Sequence, residues 1–523
     1  MKLNNKRTVL VGFTFFLICA FWQIYDVTIA MTLTNKFGMN QDISGIVLAL
    51  DNILALFMLP LFGGISDRCK SKAGRRTPFI RVGTVLAVIF LVLLSFADNA
   101  QLKNIGDYTK VNDPATMERI YDAQKDTLLK TPEGVEYTLA EVYPDRAEFA
   151  ALTTESKTTE INQFGLEVEV NLYTRYVVPA RQACAHDATN QNPTTLIVYI
   201  GILLLLLISM AIFRTPAVAL MPDVTVKPLR SKANAIINLM GNAGGIIVLV
   251  LGTVLAISKV KNAYMSYIGV YSIVGGIMLL ALLIFLFTVK EPKWAAQMQE
   301  ESAALGLEEG EETRTSQKKG LEKGKRRSLI FLLASVIFWY AGYNAITSKY
   351  TVYAQSVLDK DATLTLLLAN AAAIVTYIPV GMIASKIGRK KTILAGVVML
   401  FTAFFVACFL TATSSAWLMT IMFILAGVGW ATINVNSFPM VVEMCSGADV
   451  GKYTGLYYTA SMASQALTPY FSGLLMKRIA WTTLFPYASV AVALAFVTML
   501  LVKHGDSKVE AKRGLEAFDN DDE

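Results

Sequence analysis

The chain has 523 residues, of which 54% are hydrophobic and only 17% charged, and its mean hydropathy is +0.48. A soluble protein of this length needs far more charge to cover its surface, so the composition excludes that class and indicates membrane-spanning helices. The net charge of +7 does not indicate nucleic-acid binding, because the basic residues fall in short loops between apolar stretches.

Twelve apolar runs are each long enough to cross a bilayer as a helix, for which about 20 residues are needed. In chain order these spans are residues 8–33, 43–64, 79–98, 195–221, 234–257, 266–289, 329–354, 363–385, 391–411, 416–438, 453–475 and 482–502. The sequence therefore predicts an all-α integral membrane protein with twelve transmembrane helices.

Basic residues are concentrated in the loops on one side of these spans, as in Arg68–Arg81 between spans 2 and 3. The positive-inside rule predicts that these loops and both chain termini are cytoplasmic, in a multi-pass protein of the cell membrane. Span 1 follows a basic start as a signal peptide does. It is too long and contains Asp26, so we interpret it as an uncleaved helix.

A glycine- and arginine-rich hinge occurs twice, between spans 2 and 3 and again between spans 8 and 9. The two copies are six spans apart, so each has the same place within a set of six spans. This repetition predicts two pseudo-symmetric six-helix halves. Glycines allow close helix contact, and an aspartate can accept hydrogen bonds at a neighbouring helix N-terminus or pair with arginines. An ordinary basic loop is the alternative. The predicted gating residues are Gly63, Asp67, Arg68, Gly74, Arg75, Arg76, Gly381, Gly388 and Arg389.

Two long polar segments interrupt the spans. Residues 99–193 lie between spans 3 and 4, outside the membrane, and predict either a small acidic folded insertion or a spacer without activity. Within it, Leu166–Val178 has partial strand-like alternation. Residues 290–327 predict a charged cytoplasmic linker. The predicted segments are 1–98 (spans 1–3), 99–193, 194–289 (spans 4–6), 290–327, 328–503 (spans 7–12) and a cytoplasmic tail, 504–523.

Three ionisable residues lie within the spans: Asp26 in span 1, Asp51 in span 2 and Arg214 in span 4. Such a group costs about 2.5–3.5 kcal/mol on insertion scales, so it normally faces a polar interior. A carboxylate there can load a proton on one side and release it on the other. The three are therefore candidates for proton coupling, and structural pairing is the alternative. Helical rise puts Asp26 and Arg214 at different depths, so we expect a shared cavity rather than an ion pair.

Aromatic and amide side chains complete the candidate substrate site. Trp22 lies one turn before Asp26 and suits the apolar face of a sugar ring, although helix packing explains it equally well. Asp26 and Arg214 can bond sugar hydroxyls. The predicted substrate-binding residues are Trp22, Tyr25, Asp26, Arg214, Tyr343, Asn344 and Asn434.

The hinge resembles the signature loop of the major facilitator superfamily. Its form Ser66-Asp67-Arg68 followed by Gly74-Arg75-Arg76-Thr77-Pro78-Phe79 resembles the glycoside–pentoside–hexuronide:cation symporters, particularly their sucrose-transporter-like branch. Arg214–Leu220 with Asp223 looks like the helix 4 signature of that branch. The second hinge copy has Ser385 where the first has Asp67, so we expect the stronger charge contact in the first half. In a sodium-coupled relative, the ion-site carboxylates match Ala55 and Leu59 here, which favours protons over sodium.

The resulting expectation is a proton-coupled symporter of a sugar, a glycoside or disaccharide, working by alternating access. Its alternatives are a proton-driven exporter of amphipathic compounds, or a sensor that uses the outer insertion. An enzyme is not expected, because the sequence has no nucleophile–base set, phosphate loop or metal-ligand spacing. We expect a monomer in the lipid bilayer with a small sugar as its partner, and no cofactor, metal or nucleic acid.

Overall fold

The computed structural model describes residues 3–39, 41–132, 134–161, 167–257, 259–305, 322–356, 358, 363–411, 414–445 and 449–506. Within these residues the α-helices are α1 (Asn5–Met31), α2 (Gln41–Asp67), α3 (Thr77–Ile105), α4 (Pro114–Gln124), α5 (Leu139–Val142), α6 (Arg146–Ala150), α7 (Val178–Gln191), α8 (Thr194–Asp223), α9 (Arg230–Val254), α10 (Ile268–Thr288), α11 (Glu291–Ala304), α12 (Lys323–Ser356), α13 (Thr363–Ile387), α14 (Arg389–Ala407), α15 (Ala416–Glu443), α16 (Val450–Arg478) and α17 (Leu484–Leu500).

Each of the twelve predicted spans contains one long helix. Ten helices in the described residues are long and apolar enough to cross a membrane. The other two are α17, which is shorter, and α16, which is more polar. The polar residues of α16, such as Thr454, Ser461 and Ser464, are buried, so they face protein rather than lipid. The predicted membrane architecture is confirmed.

The transmembrane helices form two six-helix halves with the same packing pattern. The first half comprises α1, α2, α3, α8, α9 and α10, and the second comprises α12 to α17. Packing of α3 against α8 and α10 in the first half is repeated by α14 against α15 and α17 in the second. The halves meet where α2 packs against α16 and where α9 packs against α13. We call the end that carries the two hinge loops, residues 68–76 and 388–391, the basic face.

The opposite end carries the insertion, so we call it the insertion face. The insertion is folded around its own apolar core of Met117, Ile120, Leu139, Phe149 and Val177. It contains α4 to α7 and two antiparallel hairpins. These pair β1 (Leu129–Lys130) with β2 (Glu136–Tyr137), and β3 (Lys157–Ile161) with β4 (Glu167–Asn171).

The structure corrects two details of the predicted insertion. Helix α3 continues to Ile105, beyond the predicted boundary at residue 98, because polar residues at its end face the insertion rather than lipid. In the stretch for which the sequence predicts strand-like alternation, the strand is limited to β4. Tyr173–Val177 forms a π-helical turn that leads into α7. The start of the predicted linker forms α11. Linker residues 306–321 and tail residues 507–523 lie outside the described residues.

Candidate functional site

Arg214 lies at the boundary between the two halves, between two aromatic rings. Its guanidinium carbon is 5.2 Å from the ring centre of Trp22 on α1 and 5.2 Å from that of Tyr458 on α16. A cation over an aromatic face is attracted by the ring quadrupole. Trp22 belongs to the first half and Tyr458 to the second, so Arg214 joins the halves through stacking. Sequence reasoning missed Tyr458, which belongs to the other half of the chain.

Asp51 lies on the wall of the same cavity as Arg214, and Asp26 lies one turn along α1 from Trp22. Asp26 is exposed although most of α1 is buried, and Asp51 is half-buried and accepts a 2.8 Å hydrogen bond from Asn52. Ionisable side chains within membrane spans normally face a polar interior, and the exposure of Asp26 agrees with that general rule. Neither aspartate pairs directly with Arg214 among the described ion pairs, as the difference in depth predicts. Trp22, Asp51 and Arg214 line one small cavity. Asp26 is not among the residues that line it, so this cavity is not the one expected to be shared by Asp26 and Arg214.

Trp22 and Tyr25 differ in their surroundings although they lie in edge-to-face contact, with ring centres 5.1 Å apart. Tyr25 is 2% exposed, while the adjacent Asp26 is exposed, so the two side chains leave α1 in different directions. The Trp22 indole nitrogen and the Tyr25 hydroxyl are buried without a hydrogen-bond partner. Trp22 therefore has a free donor next to Arg214, whereas Tyr25 points into the first half.

The second half contributes an aromatic platform. Tyr343 stacks on Trp430 with ring centres 3.9 Å apart and an angle of 5° between the planes, and Tyr340 meets Trp430 edge-on at 4.9 Å. The Asn344 amide nitrogen is buried without a partner. Asn434 is half-buried. Its backbone carbonyl oxygen accepts a hydrogen bond from the Asn234 side-chain amide across the interface between the halves.

The first hinge copy centres on the buried side chain of Arg76. It pairs with Asp223 at 2.7 Å and with Asp67 at 2.6 Å, and it also donates to Ser66. Arg75 adds a two-pronged contact to Asp223, at 2.6 and 3.0 Å. Burial opposes the charge of Arg76, but Asp223 and Asp67 outweigh it and hold the pKa of the guanidinium above its ordinary value. Arg68, also predicted for gating, is exposed.

Asp67 connects this charged cluster to the second half. Its carboxylate accepts 2.9 Å hydrogen bonds from the backbone nitrogens of Gly451 and Lys452, in the first turn of α16. A helix N-terminus favours negative charge, so this contact matches the one that the sequence predicts. Gly63 contacts the Gly451 backbone directly and leaves no room for a side chain. The halves are therefore closed against each other at the basic face.

Glu291, at the start of α11, caps the N-terminus of α3. It accepts hydrogen bonds from the backbone nitrogens of Arg75, Arg76 and Thr77, each at 2.8 Å, and from the Thr77 hydroxyl at 2.7 Å. Gly74 has φ +111° and abuts the same carboxylate, so a side chain there would both strain the backbone and displace Glu291. The sequence did not indicate this cap, because Glu291 lies far along the chain.

In the second hinge copy, the charged residue that crosses to the other half is an arginine rather than an aspartate. Arg389 pairs with Glu443 at 2.9 Å, and it crosses to the first half by donating to Ser231 at 2.9 Å and to the Lys227 carbonyl. Arg230 of the first half approaches Glu443 at 3.6 Å. The expectation of a stronger charge contact in the first half is therefore too simple.

The glycines of the second copy also serve close packing. A side chain at Gly381 would come within 2.9 Å of Ala235 on α9, and Gly388 has φ +97° just before α14. Asp506 accepts a 2.6 Å hydrogen bond from the Arg389 backbone nitrogen, as Glu291 does for the first copy. The two predicted hinge elements therefore have equivalent places in the two halves.

A further buried ion pair escaped sequence reasoning. Lys36 and Asp98 pair at 2.8 Å with side chains 0% and 1% exposed, at the insertion-face end of the first half. Both lie at the ends of apolar runs, and the sequence therefore suggests that they belong to loops.

Comparison with known proteins agrees with this architecture. The chain matches the Major Facilitator Superfamily over residues 184–436 and 361–519, and "MFS/sugar transport protein" over residues 11–102. Solved structures with a similar fold include the E. coli fucose:proton symporter FucP, at 11% identity and TM-score 0.58, covering 95% of this chain and 98% of that one.

The proton:xylose symporter XylE bound to 6-bromo-6-deoxy-D-glucose has 14% identity and TM-score 0.56, with 96% of each chain covered. A bacterial homologue of the iron transporter ferroportin has 12% identity and TM-score 0.56, with 95% of this chain and 99% of that one covered. These likenesses concern the fold, since structures with different cargoes match equally well. The chain is a multi-pass transporter of the major facilitator superfamily.

Proposed function

We propose that this protein is a secondary active transporter that carries a sugar, a glycoside or disaccharide, together with protons by alternating access. The observation that carries the proposal is Arg214, held between Trp22 and Tyr458, with Asp51 on the wall of the same cavity and Asp26 one helical turn from Trp22. This is a charged polar site in the membrane, at the boundary between two halves. The match of residues 11–102 to sugar transport proteins supports the substrate class.

In our proposal, side chains of both halves form the walls of the site, and their chemistry suits a sugar. The stacked pair of Tyr343 and Trp430 offers an aromatic surface for the apolar face of a pyranose ring. The free donors of Trp22 and Asn344 and the guanidinium of Arg214 can bond to hydroxyl groups. An exporter of amphipathic compounds would need a wide apolar cavity instead.

Coupling needs a group that changes charge during the cycle. In our proposal Asp26 binds a proton when the site opens at the insertion face, which favours sugar binding. After the halves rock, Asp26 releases that proton at the basic face, which we assign to the cytoplasm. Asp51 assists, and Arg214 links sugar occupancy to proton release by its proximity to both carboxylates. The contacts of Asp67 and Arg389 must break for the basic face to open.

Replacement of Asp26→Asn tests the proposal, because it keeps the shape and removes the titrating group. We expect concentrative sugar uptake into proteoliposomes to fall at least tenfold, while exchange of internal for external sugar persists. The matched control is Asp126→Asn, an exposed residue of the insertion, which should leave both activities unchanged. Full concentrative uptake by Asp26→Asn would refute the assignment of this carboxylate.

A further inference from the structure

A layer of buried polar groups lies behind the aromatic residues of the candidate site, in the second half. Tyr457 on α16 is its centre. The hydroxyl groups of Tyr457 and of Ser437 on α15 are 2.9 Å apart. A further hydrogen bond joins the Tyr457 hydroxyl to that of Tyr340 on α12. These three hydroxyls, which we call the hydroxyl triad, therefore connect three helices of the second half.

Two members of the triad each contact an aromatic group of the candidate site. The Tyr457 ring meets the adjacent Tyr458 ring edge-on with centres 5.3 Å apart, and Tyr458 is the ring that stacks on Arg214. The Tyr340 ring meets Trp430 edge-on at 4.9 Å, and Trp430 belongs to the aromatic platform. Direct contacts thus run without a break from Arg214 in the first half to the platform of the second half.

Burial separates the hydroxyl triad from the rings in front of it. Tyr457 is 2% exposed and Ser437 is fully buried, whereas Tyr458 and Trp430 are half-buried. A buried hydroxyl that loses its partner is costly, and a bonded hydroxyl restricts the orientation of the ring that carries it. The triad is therefore placed to hold the two rings without touching a molecule bound in front of them.

The turn of α16 that carries Tyr457 is packed against α2 of the first half. A side chain at Gly455 would lie 2.5 Å from the Cα atom of Pro60, so the two backbones are in close contact. Two residues after Tyr457, the Thr459 hydroxyl donates to the Leu56 carbonyl at 3.2 Å. The backbone of this turn is thus fixed, and the orientation of its aromatic side chains depends on the bonds that they make.

We propose that Tyr457 is a positioning residue for sugar binding: its hydroxyl bonds orient both the ring that stacks on Arg214 and the aromatic platform. This inference rests on the proposed function, because that function assigns Arg214 and the platform to the sugar. Rings that are already held in their binding orientation need no further ordering when the sugar binds. The triad therefore contributes to affinity, and its loss raises KM while the conformational change that limits kcat continues.

Tyr457→Phe tests the proposal, because it removes only the central hydroxyl. We expect KM for sugar uptake into proteoliposomes to rise about two- to tenfold, the range that one neutral hydrogen bond contributes, with kcat nearly unchanged. Tyr453→Phe is the matched control, since Tyr453 lies one turn earlier on α16, is 8% exposed and is not part of the triad. Unchanged KM in Tyr457→Phe, or a fall in kcat alone, would overturn the positioning role.

Variants of the other two members separate positioning from a general structural role. Ser437→Ala removes the partner of Tyr457 on α15 and should raise KM to a similar extent, again without loss of kcat. Tyr340→Phe combined with Tyr457→Phe forms a double-mutant cycle. Because both hydroxyls act in one triad, we expect the double variant to have nearly the KM of Tyr457→Phe alone. Changes in KM that multiply would show independent effects and would overturn the triad.

Failure of the positioning role and failure of the proposed function give different results. If the wild type transports sugar and both Tyr457→Phe and Ser437→Ala keep its KM, the positioning role fails and the proposed function stands. If the wild type transports no sugar, the proposed function and the positioning role for a sugar fail together.

Discussion

The two hinge copies show how duplicated elements can close one face with different chemistry. In the first copy an aspartate, Asp67, reaches across to backbone nitrogens of the second half. In the second copy an arginine, Arg389, reaches across to Ser231 and to a carbonyl of the first half. One copy thus presents an anion to a helix N-terminus, and the other presents a cation to the start of α9. The two hinge elements occupy equivalent places, but Ser385 stands where the first copy has Asp67, and the crossing contact of the second copy is made by Arg389, with the opposite charge.

The largest effect is expected at Arg76, where the first copy concentrates its charges. Arg76→Gln removes the cation that Asp223 and Asp67 share, and both carboxylates are largely buried. Removal of one partner from a buried pair costs about 3–5 kcal/mol. We expect a clear loss of thermal stability in detergent and uptake near background. An unfolding temperature within about 2–3 °C of that of the wild type would contradict the central place of Arg76. A shift of that size corresponds to a loss of only about 1 kcal/mol in a smaller protein.

A second pair of variants tests whether the two copies are equivalent. Asp67→Asn and Glu443→Gln each remove one charge from a contact between the halves, and hydrogen bonds to charged groups contribute about 1.5–3 kcal/mol. We expect both to shift the protein towards an open basic face. Ser385→Ala is the control, because its hydroxyl bonds only to the Gly381 carbonyl of its own helix.

Spin labels on Arg68→Cys and Lys386→Cys, both exposed, would report this opening as a longer distance across the basic face. The labelled protein would lack its native cysteines. A shift in Asp67→Asn alone would show that only the first copy acts as a charge latch.

Glycine packing gives a smaller and sterically defined test. Gly63→Ala places a methyl group against the Gly451 backbone, and overpacking of this kind costs about 1–3 kcal/mol. Gly64→Ala is a matched control, because nothing lies within 4 Å of the added carbon. We expect reduced uptake and an open basic face for Gly63→Ala only. Equal behaviour of the two variants would exclude close contact at Gly63 as the reason for its presence.

The smallest effects are expected at the two caps. Glu291→Gln and Asp506→Asn weaken the bonds to the N-termini of α3 and α14, and loss of a helix cap costs about 0.5–2 kcal/mol. Glu291 accepts four hydrogen bonds and Asp506 accepts one at the corresponding place, so Glu291→Gln should lower thermal stability more. The opposite order would mean that the two caps are not equivalent.

Most of the architecture could be predicted from local sequence. Apolar length alone predicted the spans, and the repeated hinge predicted the two halves. The contacts of Asp67 with a helix N-terminus and with an arginine also followed from residue chemistry, because a carboxylate is stabilised by both partners. Arg214 stood out because a charge in an apolar run is costly.

Long-range partners could not be predicted in the same way. Glu443, Glu291 and Asp506 lie at helix ends in charged surroundings, where a single sequence does not distinguish a surface acid from a buried cap. Lys36 and Asp98 are more than sixty positions apart, and the packing of α10 against both α1 and α3 brings them together. The same limit applies to Tyr458, which belongs to the other half of the chain from Arg214.

Purified protein in proteoliposomes, given a panel of mono- and disaccharides in weakly buffered medium, provides the most direct test of the central claim. The account predicts that at least one sugar causes alkalinisation of the external medium, and that Asp26→Asn abolishes it while sugar exchange continues. Absence of proton movement with every sugar, together with proton-driven efflux of amphipathic dyes, would contradict it.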